Sequence, residues 1–202
     1  MSFLQSITLD RGIEILVVIL SLAYVGLIAV NRRSGWWFGI AASLLSVWLF
    51  IRVNYFAEAV LYVYYVVMGC YGAYFWKYGT QSNQLPRITV RPFRFHVCVI
   101  ALCILLTFAL AEALKQIGSS NVYGDAATTV FSFVATWMVA KRILENWIYW
   151  IVIDLFSVWL YHDKDLTIYA LLMLAYSFIA GAGFILWWRQ FREQKPPPPA
   201  AA

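Results

Sequence analysis

The chain has 202 residues, 63% of them hydrophobic and 12% charged, with a formal net charge of +5 and a mean hydropathy of +0.72. These values exclude a soluble globular domain and point to an integral membrane protein. The basic excess is spread over several predicted helix ends, so it reads as membrane topology and not as a nucleic-acid patch.

Crossing the hydrocarbon core takes about 20 mostly apolar residues, and the sequence predicts seven such helices, at 13–30, 36–53, 57–77, 95–115, 124–143, 146–161 and 165–188. The alternating pattern of a membrane barrel is absent. The first stretch follows Asp10, Arg11 and Glu14 instead of a basic leader, so it reads as a retained helix and not a signal peptide. Helix 2 opens on Trp36-Trp37, and helix 3 runs from the region of Glu58 past Tyr65 to Gly72 and Trp76. The longest loop, Tyr78 to Arg94, holds Pro86 and Pro92 and leads into helix 4. Helix 5 sets Thr129, Ser132 and Thr136 on one face, and helix 6 opens at Asn146 and spaces Trp147, Trp150 and Asp154 at i, i+3 and i+7. Helix 7 carries Tyr176, Gly183, Trp187 and Trp188, and the prolines and alanines after Lys195 read as a disordered tail or linker.

Shifted by 111 residues, the segment from Trp36 to Trp76 falls on the segment from Trp147 to Trp187 without a gap. Ser46-Val47-Trp48-Leu49 then matches Ser157-Val158-Trp159-Leu160, and Tyr65/Tyr176, Gly72/Gly183 and Trp76/Trp187 coincide. Apolar composition can align Leu, Ala and Val, but three Trp pairs and a Gly pair indicate duplication. The expectation is an all-α integral membrane fold with seven transmembrane helices in a 3+1+3 arrangement. A three-helix repeat occupies 1–78, a linker loop and helix 4 occupy 79–118, a second repeat occupies 119–190, and a tail occupies 191–202. An offset of four helices leaves the halves parallel, related by an axis along the membrane normal, an arrangement used by transporters. Arg32, Arg33, the Lys77–Arg94 region, Lys141, Arg142 and the Arg189–Lys195 end fall on one side. That side is expected to be cytoplasmic, with the N-terminus outside and the C-terminus inside.

Asp154 is the sharpest functional flag, because a carboxylate in a spanning helix costs about 2.5–3.5 kcal/mol on insertion scales and such residues face a bundle interior or a cavity. The competing reading is a structural hydrogen bond to a neighbouring helix. Tyr65, Tyr176, Trp187 and Trp188 add an aromatic face suited to a flat heteroaromatic ligand, with cation–π attraction for a charged ring. Tryptophans near the inner boundary also fit an aromatic belt, and hydroxyls in membrane helices often bond their own backbone. Glu58, near the outer end of helix 3, is a candidate gate or a helix cap.

Cys70, Cys98 and Cys103 have no metal or redox spacing and read as packing residues. His96 and His162 lie far apart, and no phosphate loop, nucleophile elbow or metal-ligand cluster is present, so neither an enzyme nor a bound cofactor or metal is expected. No lysine within 165–188 could hold retinal, which excludes a seven-helix photoreceptor.

Glu145-Asn146-Trp147-Ile148-Tyr149-Trp150 followed by Asp154 resembles the Trp-x-x-Trp motif in helix 6 of the PnuC family of nicotinamide riboside transporters. The resemblance extends to the Trp-rich start of helix 2, Glu58 and the tyrosines of helix 3, the Asp125 to Thr129 opening of helix 5, and Gly183 to Trp188. It implies a fold similar to the SWEET sugar transporters, a homotrimer in a bacterial inner membrane, and uptake of nicotinamide riboside by facilitated diffusion with trapping by a cytoplasmic kinase. Trp147 and Trp150 carry over from the motif. Inference from helical faces adds Asn146, Asp154, Ser132, Thr136, Tyr65, Tyr176, Trp187 and Trp188 as substrate-binding positions. The alternatives are a sugar or other nucleoside carrier, a proton-coupled symporter using Asp154, and a receptor or scaffold that moves nothing.

Overall fold

Seven α-helices follow one another along the chain: α1 (Phe3–Ala29), α2 (Gly35–Arg52), α3 (Phe56–Tyr78), α4 (Phe93–Lys115), α5 (Val122–Ala140), α6 (Asn146–Asp163) and α7 (Thr167–Glu193). The structure, a computed structural model, describes residues 3–52, 56–80, 84–115, 122–163 and 167–194, with side chains in α1 placed from Arg11 and in α3 from Ala59. Among the described residues the extended pairing is a lone parallel bridge between Thr89 and Ile143. Pro92 stands immediately before α4, where its missing N–H costs no helical hydrogen bond.

Five of these helices contain stretches long and apolar enough to cross a membrane: Arg11–Ala29, Gly35–Arg52, Ala59–Tyr78, Phe93–Lys115 and Tyr169–Glu193. The other two expected segments, α5 and α6, fall below that criterion of apolarity, because the hydroxyl stripe, the asparagine and the aspartates lie on them. Those two helices instead carry polar groups that the bundle buries, including Ser132, Thr136, Asn146 and Asp154.

The packing is a ring. α1 lies on α2, α2 on α3, α3 on α5, α5 on α6, α6 on α7, and α7 returns to α1, while α4 leans against α5 from outside. Exchanging α1, α2 and α3 with α5, α6 and α7 turns the α1–α2 contact into α5–α6, α2–α3 into α6–α7, and α3–α5 into α7–α1. The local geometry repeats as well. α1 ends with Asn31 at φ 59° and α5 ends with Arg142 at φ 54°, 111 positions later. The Arg32 N–H donates to Leu27 O (2.8 Å) and the Asn31 N–H to Ile28 O (3.0 Å), matched by Ile143 to Met138 (2.9 Å) and Arg142 to Val139 (3.0 Å). Both are left-handed C-caps that satisfy the last helical carbonyls. Asparagine tolerates that conformation, but arginine is strained in it, so the second turn needs tertiary support.

Close approach between helices rests on glycines, two of which, Gly72 and Gly183, occupy positions 111 residues apart. A Cβ at Gly72 would overlap the Trp36 ring, and one at Gly183 would lie 2.8 Å from the Trp147 ring, whereas one at Gly181 meets nothing within 4 Å. The two α7 glycines therefore predict opposite outcomes for the same substitution. Gly181→Ala should hold or raise the Tm in detergent by removing a helical glycine, worth about 0.5–1 kcal/mol. Gly183→Ala should lower stability by about 1–3 kcal/mol through overpacking; equal Tm values for the two variants would contradict this packing.

Candidate functional site

Inside the ring lies a cavity of about 320 Å³, within the range of small-molecule sites. Seven of the ten sequence-predicted substrate-binding residues line it: Tyr65, Ser132, Thr136, Trp147, Trp150, Asp154 and Tyr176. They converge because α5 and α6 turn their polar stripes inward and α3 and α7 present their tyrosines from opposite sides of the ring. Tyr65 from α3 and Ser132 from α5 face the same cavity, as do Tyr176 from α7 and Ser21 from α1, and the members of one pair are 111 positions from the members of the other.

Asp154 is buried at 5% exposure and faces the cavity. Among the described lining residues it is the only charged one, and no lysine, arginine or histidine lines the space. Its counterpart 111 positions earlier is Ser43, also buried and also in the wall. The hydroxyl stripe of α5 is partly self-satisfied, since Thr136 Oγ1 donates to Ser132 O at 2.8 Å. That threonine retains acceptor capacity toward a ligand.

Two rings that sequence reasoning did not place together form one end of the cavity. Trp36 and Trp147 both line it, and the indole Nε1 of each is buried without a hydrogen-bond partner among the described residues. Trp36 had been assigned to the membrane-boundary aromatics, although its alignment with Trp147 was the signal that it shares that residue's role. Tyr24, Ser43 and Ser157 also line the wall and were not expected there.

Three predicted residues stand off the cavity. Asn146 is fully buried and donates from Nδ2 to Ile143 O at 2.6 Å, so it braces the α5–α6 turn. Trp187 is fully buried behind the floor and donates from Nε1 to Ile28 O at 3.3 Å. Trp188, one position further and therefore about 100° round the helix, points outward at 43% exposure and stacks on Phe184. Glu58 falls in the first turn of α3, but its side chain lies outside the described residues.

Behind the floor the aromatic packing continues as a plate. Trp36 meets Trp76 edge-on at 5.6 Å, Trp76 meets Trp187 at 5.9 Å, and Trp187 meets Trp147 edge-on at 5.4 Å. Trp76 Nε1 donates to Ala140 O at 3.1 Å, as Trp187 Nε1 does to Ile28 O. Arg142 is fully buried against the two central rings, its Cζ 4.8 Å from the Trp76 centroid and 5.2 Å from that of Trp187. Its Nη2 donates to Asn31 Oδ1 (2.8 Å) and Gln190 Oε1 (3.3 Å). Burial pushes this guanidinium down to about 10, helped by the charge of Arg33, so it stays protonated at neutral pH. The loop before α4 then straps the plate from below: the Thr89 N–H donates to Arg142 O and the Leu144 N–H to Thr89 O, both at 2.9 Å. Glu145 fastens the same strap by accepting from the Arg91 N–H at 2.9 Å, and its carboxylate lies 3.4 Å from His96 Nε2.

Among the described residues no group of three His, Cys, Asp or Glu side chains could hold a metal ion. The three cysteines are free thiols, Cys103 buried and Cys70 and Cys98 exposed on the outer faces of their helices.

The chain is similar to proteins of known activity. It is 23% identical to the nicotinamide riboside transporter PnuC of Escherichia coli over 90% of this chain and 87% of that one. It is 24% identical to the nicotinamide riboside transporter PnuC of Haemophilus influenzae over 89% of this chain and 80% of that one. A crystal structure of the vitamin B3 transporter PnuC matches this fold with a TM-score of 0.74 at 20% identity, covering 92% of this chain and 84% of that one. Residues 11–189 match the family described as nicotinamide mononucleotide transporter. A match over nearly the whole chain assigns the protein to that family, one of membrane transporters and not of enzymes.

Proposed function

We propose that the chain carries nicotinamide riboside across a bacterial inner membrane by facilitated diffusion. The observation that carries the choice of substrate is the charge of the cavity wall. A mononucleotide brings a phosphate, which calls for arginine, lysine or an array of backbone N–H groups, and the described wall offers a carboxylate and no cation. A riboside brings a flat cationic ring, which suits Trp147, Trp150, the tyrosines and a wall whose one charge is the Asp154 carboxylate, and hydroxyls, which suit Ser132 and Thr136. The same comparison separates it from a sugar, which has hydroxyls but no ring to sit against an electron-rich aromatic wall.

The proposed architecture is seven crossings in a 3+1+3 order, with repeats at 1–78 and 119–190 joined through 79–118. Support comes from the ring contacts that map onto one another when α1–α3 and α5–α7 are exchanged, and from the paired turns, Trp–Gly packings and Tyr/Ser cavity positions at the 111-residue offset. Transport is proposed to work by alternating access, the two halves rocking about the shared cavity. The plate end carries Arg32, Arg33, Lys77, Lys141 and Arg142, so the positive-inside rule sets it in the cytoplasm, the N-terminus outside and the C-terminus inside. In this conformation the plate of Trp76, Trp187 and Arg142 lies between the cavity and that side. A homotrimer, and trapping of the riboside by cytoplasmic phosphorylation, are proposed from the family resemblance alone.

Two outcomes follow in calorimetry on detergent-purified protein. Nicotinamide riboside should bind, with nicotinamide mononucleotide at least about tenfold weaker for want of a phosphate partner; tighter mononucleotide binding would overturn the riboside assignment. Trp150→Ala should weaken riboside binding by about 3- to 30-fold, the worth of an aromatic contact with a cationic ring; unchanged affinity would remove Trp150 from the site.

A further inference from the structure

We propose that Asp154 is the charge selector of the cavity: its carboxylate is the counter-ion of the substrate's cationic ring, so the carrier takes the oxidised pyridinium riboside and discriminates against the uncharged dihydropyridine riboside of nearly the same shape. The inference rests on the riboside reading and adds to it the oxidation state of the ring.

Three observations carry it. First, the carboxylate is alone. No cationic side chain lines the cavity among the described residues, and Asp154, 5% exposed, has no ion pair there. A buried carboxylate without a partner is costly, and a cation that enters the cavity relieves that cost. Second, the polar groups that share the wall are hydroxyls, Tyr176 from α7, Tyr65 from α3, Ser43 from α2 and Ser157 from α6 among them. Hydroxyls can hydrogen-bond a carboxylate but cannot neutralise it, which leaves the ligand as the available counter-ion. Third, the charge breaks the pairing of the two halves. Where α6 has Asp154, α2 has Ser43 at the offset of 111, and both line the wall. A structural hydrogen bond could be made on either side of the ring; one carboxylate next to Trp150, four residues earlier on the same helical face, gives the cavity one electronegative wall and so one orientation for a cationic ring. Aromatic faces alone attract cation and neutral ring with only a modest difference, whereas a desolvated carboxylate separates them strongly.

The test is calorimetric titration of nicotinamide riboside and of its 1,4-dihydro form into purified wild type, Asp154→Asn, and the double variant Ser43→Asp with Asp154→Ser, each checked for an unaltered thermal transition. The wild type should prefer the charged ring by about 10- to 100-fold. Asp154→Asn should collapse that preference by weakening the charged ligand while leaving the dihydro form within about twofold. The double variant, which moves the carboxylate across the ring, should restore a preference for the charged ligand. Equal binding of both ligands by the wild type would overturn the proposal, as it would if Asp154 were held protonated. An equal loss of both ligands in Asp154→Asn would also overturn it, assigning the residue to the ribose or carboxamide. Binding of neither ligand by folded wild type would instead overturn the riboside reading itself.

Discussion

The structure depends on a buried cation that no carboxylate compensates. Among the described residues Arg142 is held by two indole faces, one asparagine and one glutamine. The four contacts come from three elements: Trp76 from α3, Trp187 and Gln190 from α7, and Asn31 from the α1–α2 turn. The backbone is equally committed, since its left-handed conformation ends α5 and its carbonyl anchors the strap at Thr89. A guanidinium is weakly hydrated and stacks on aromatic planes, which makes it the cation best suited to such a site. Because this one residue ties α3, α7, the α1–α2 turn and the loop before α4, the opening of the basic end that we propose would require these contacts to be given up together. That is a discrete change of packing, of the kind alternating access needs.

Positions 111 residues apart repeat in what shapes the backbone and differ in what lines the cavity. Trp36 and Trp147 cover matching glycines, Tyr65 and Tyr176 share the cavity with matching serines, and the caps at Asn31 and Arg142 share their hydrogen bonds. Asn31 and Arg142 are the clearest case of the same position put to two uses, because the second residue donates directly to the first. Ser43 and Asp154 are another. A duplicated frame supplies the cavity, and its departures from symmetry supply chemistry that a symmetric site would lack.

Much of this was legible in the amino-acid order for a simple reason: tryptophan and glycine are rare enough in an apolar chain that their recurrence at one offset marks equivalent positions. Asp154, Ser132, Thr136 and the two tyrosines could be assigned to the wall from sequence because helical period puts polar residues of a membrane helix on one face, and that face turns toward the cavity. Trp187 and Trp188 could not both have met the same ligand, since adjacent residues on a helix diverge, and a stricter use of the period would have separated them. Asn146 was misread for a different reason: an amide at the first position of a helix is used by the turn it stands in. Arg142 was counted only as a loop charge, and nothing in its neighbourhood along the chain signals that it is buried, because its partners come from residues 31, 76, 187 and 190. Trp36 was visible through its match with Trp147 and was overlooked because tryptophans near helix ends so often lie at the membrane boundary.

The central claim, that this cavity is a carrier site for a cationic riboside, is tested most directly by reconstituting the purified chain into liposomes and following labelled nicotinamide riboside. The account predicts saturable entry that stops when inside and outside concentrations are equal, with no ion gradient imposed, and none in empty liposomes. Binding without entry, or entry only under an imposed proton gradient, would contradict it.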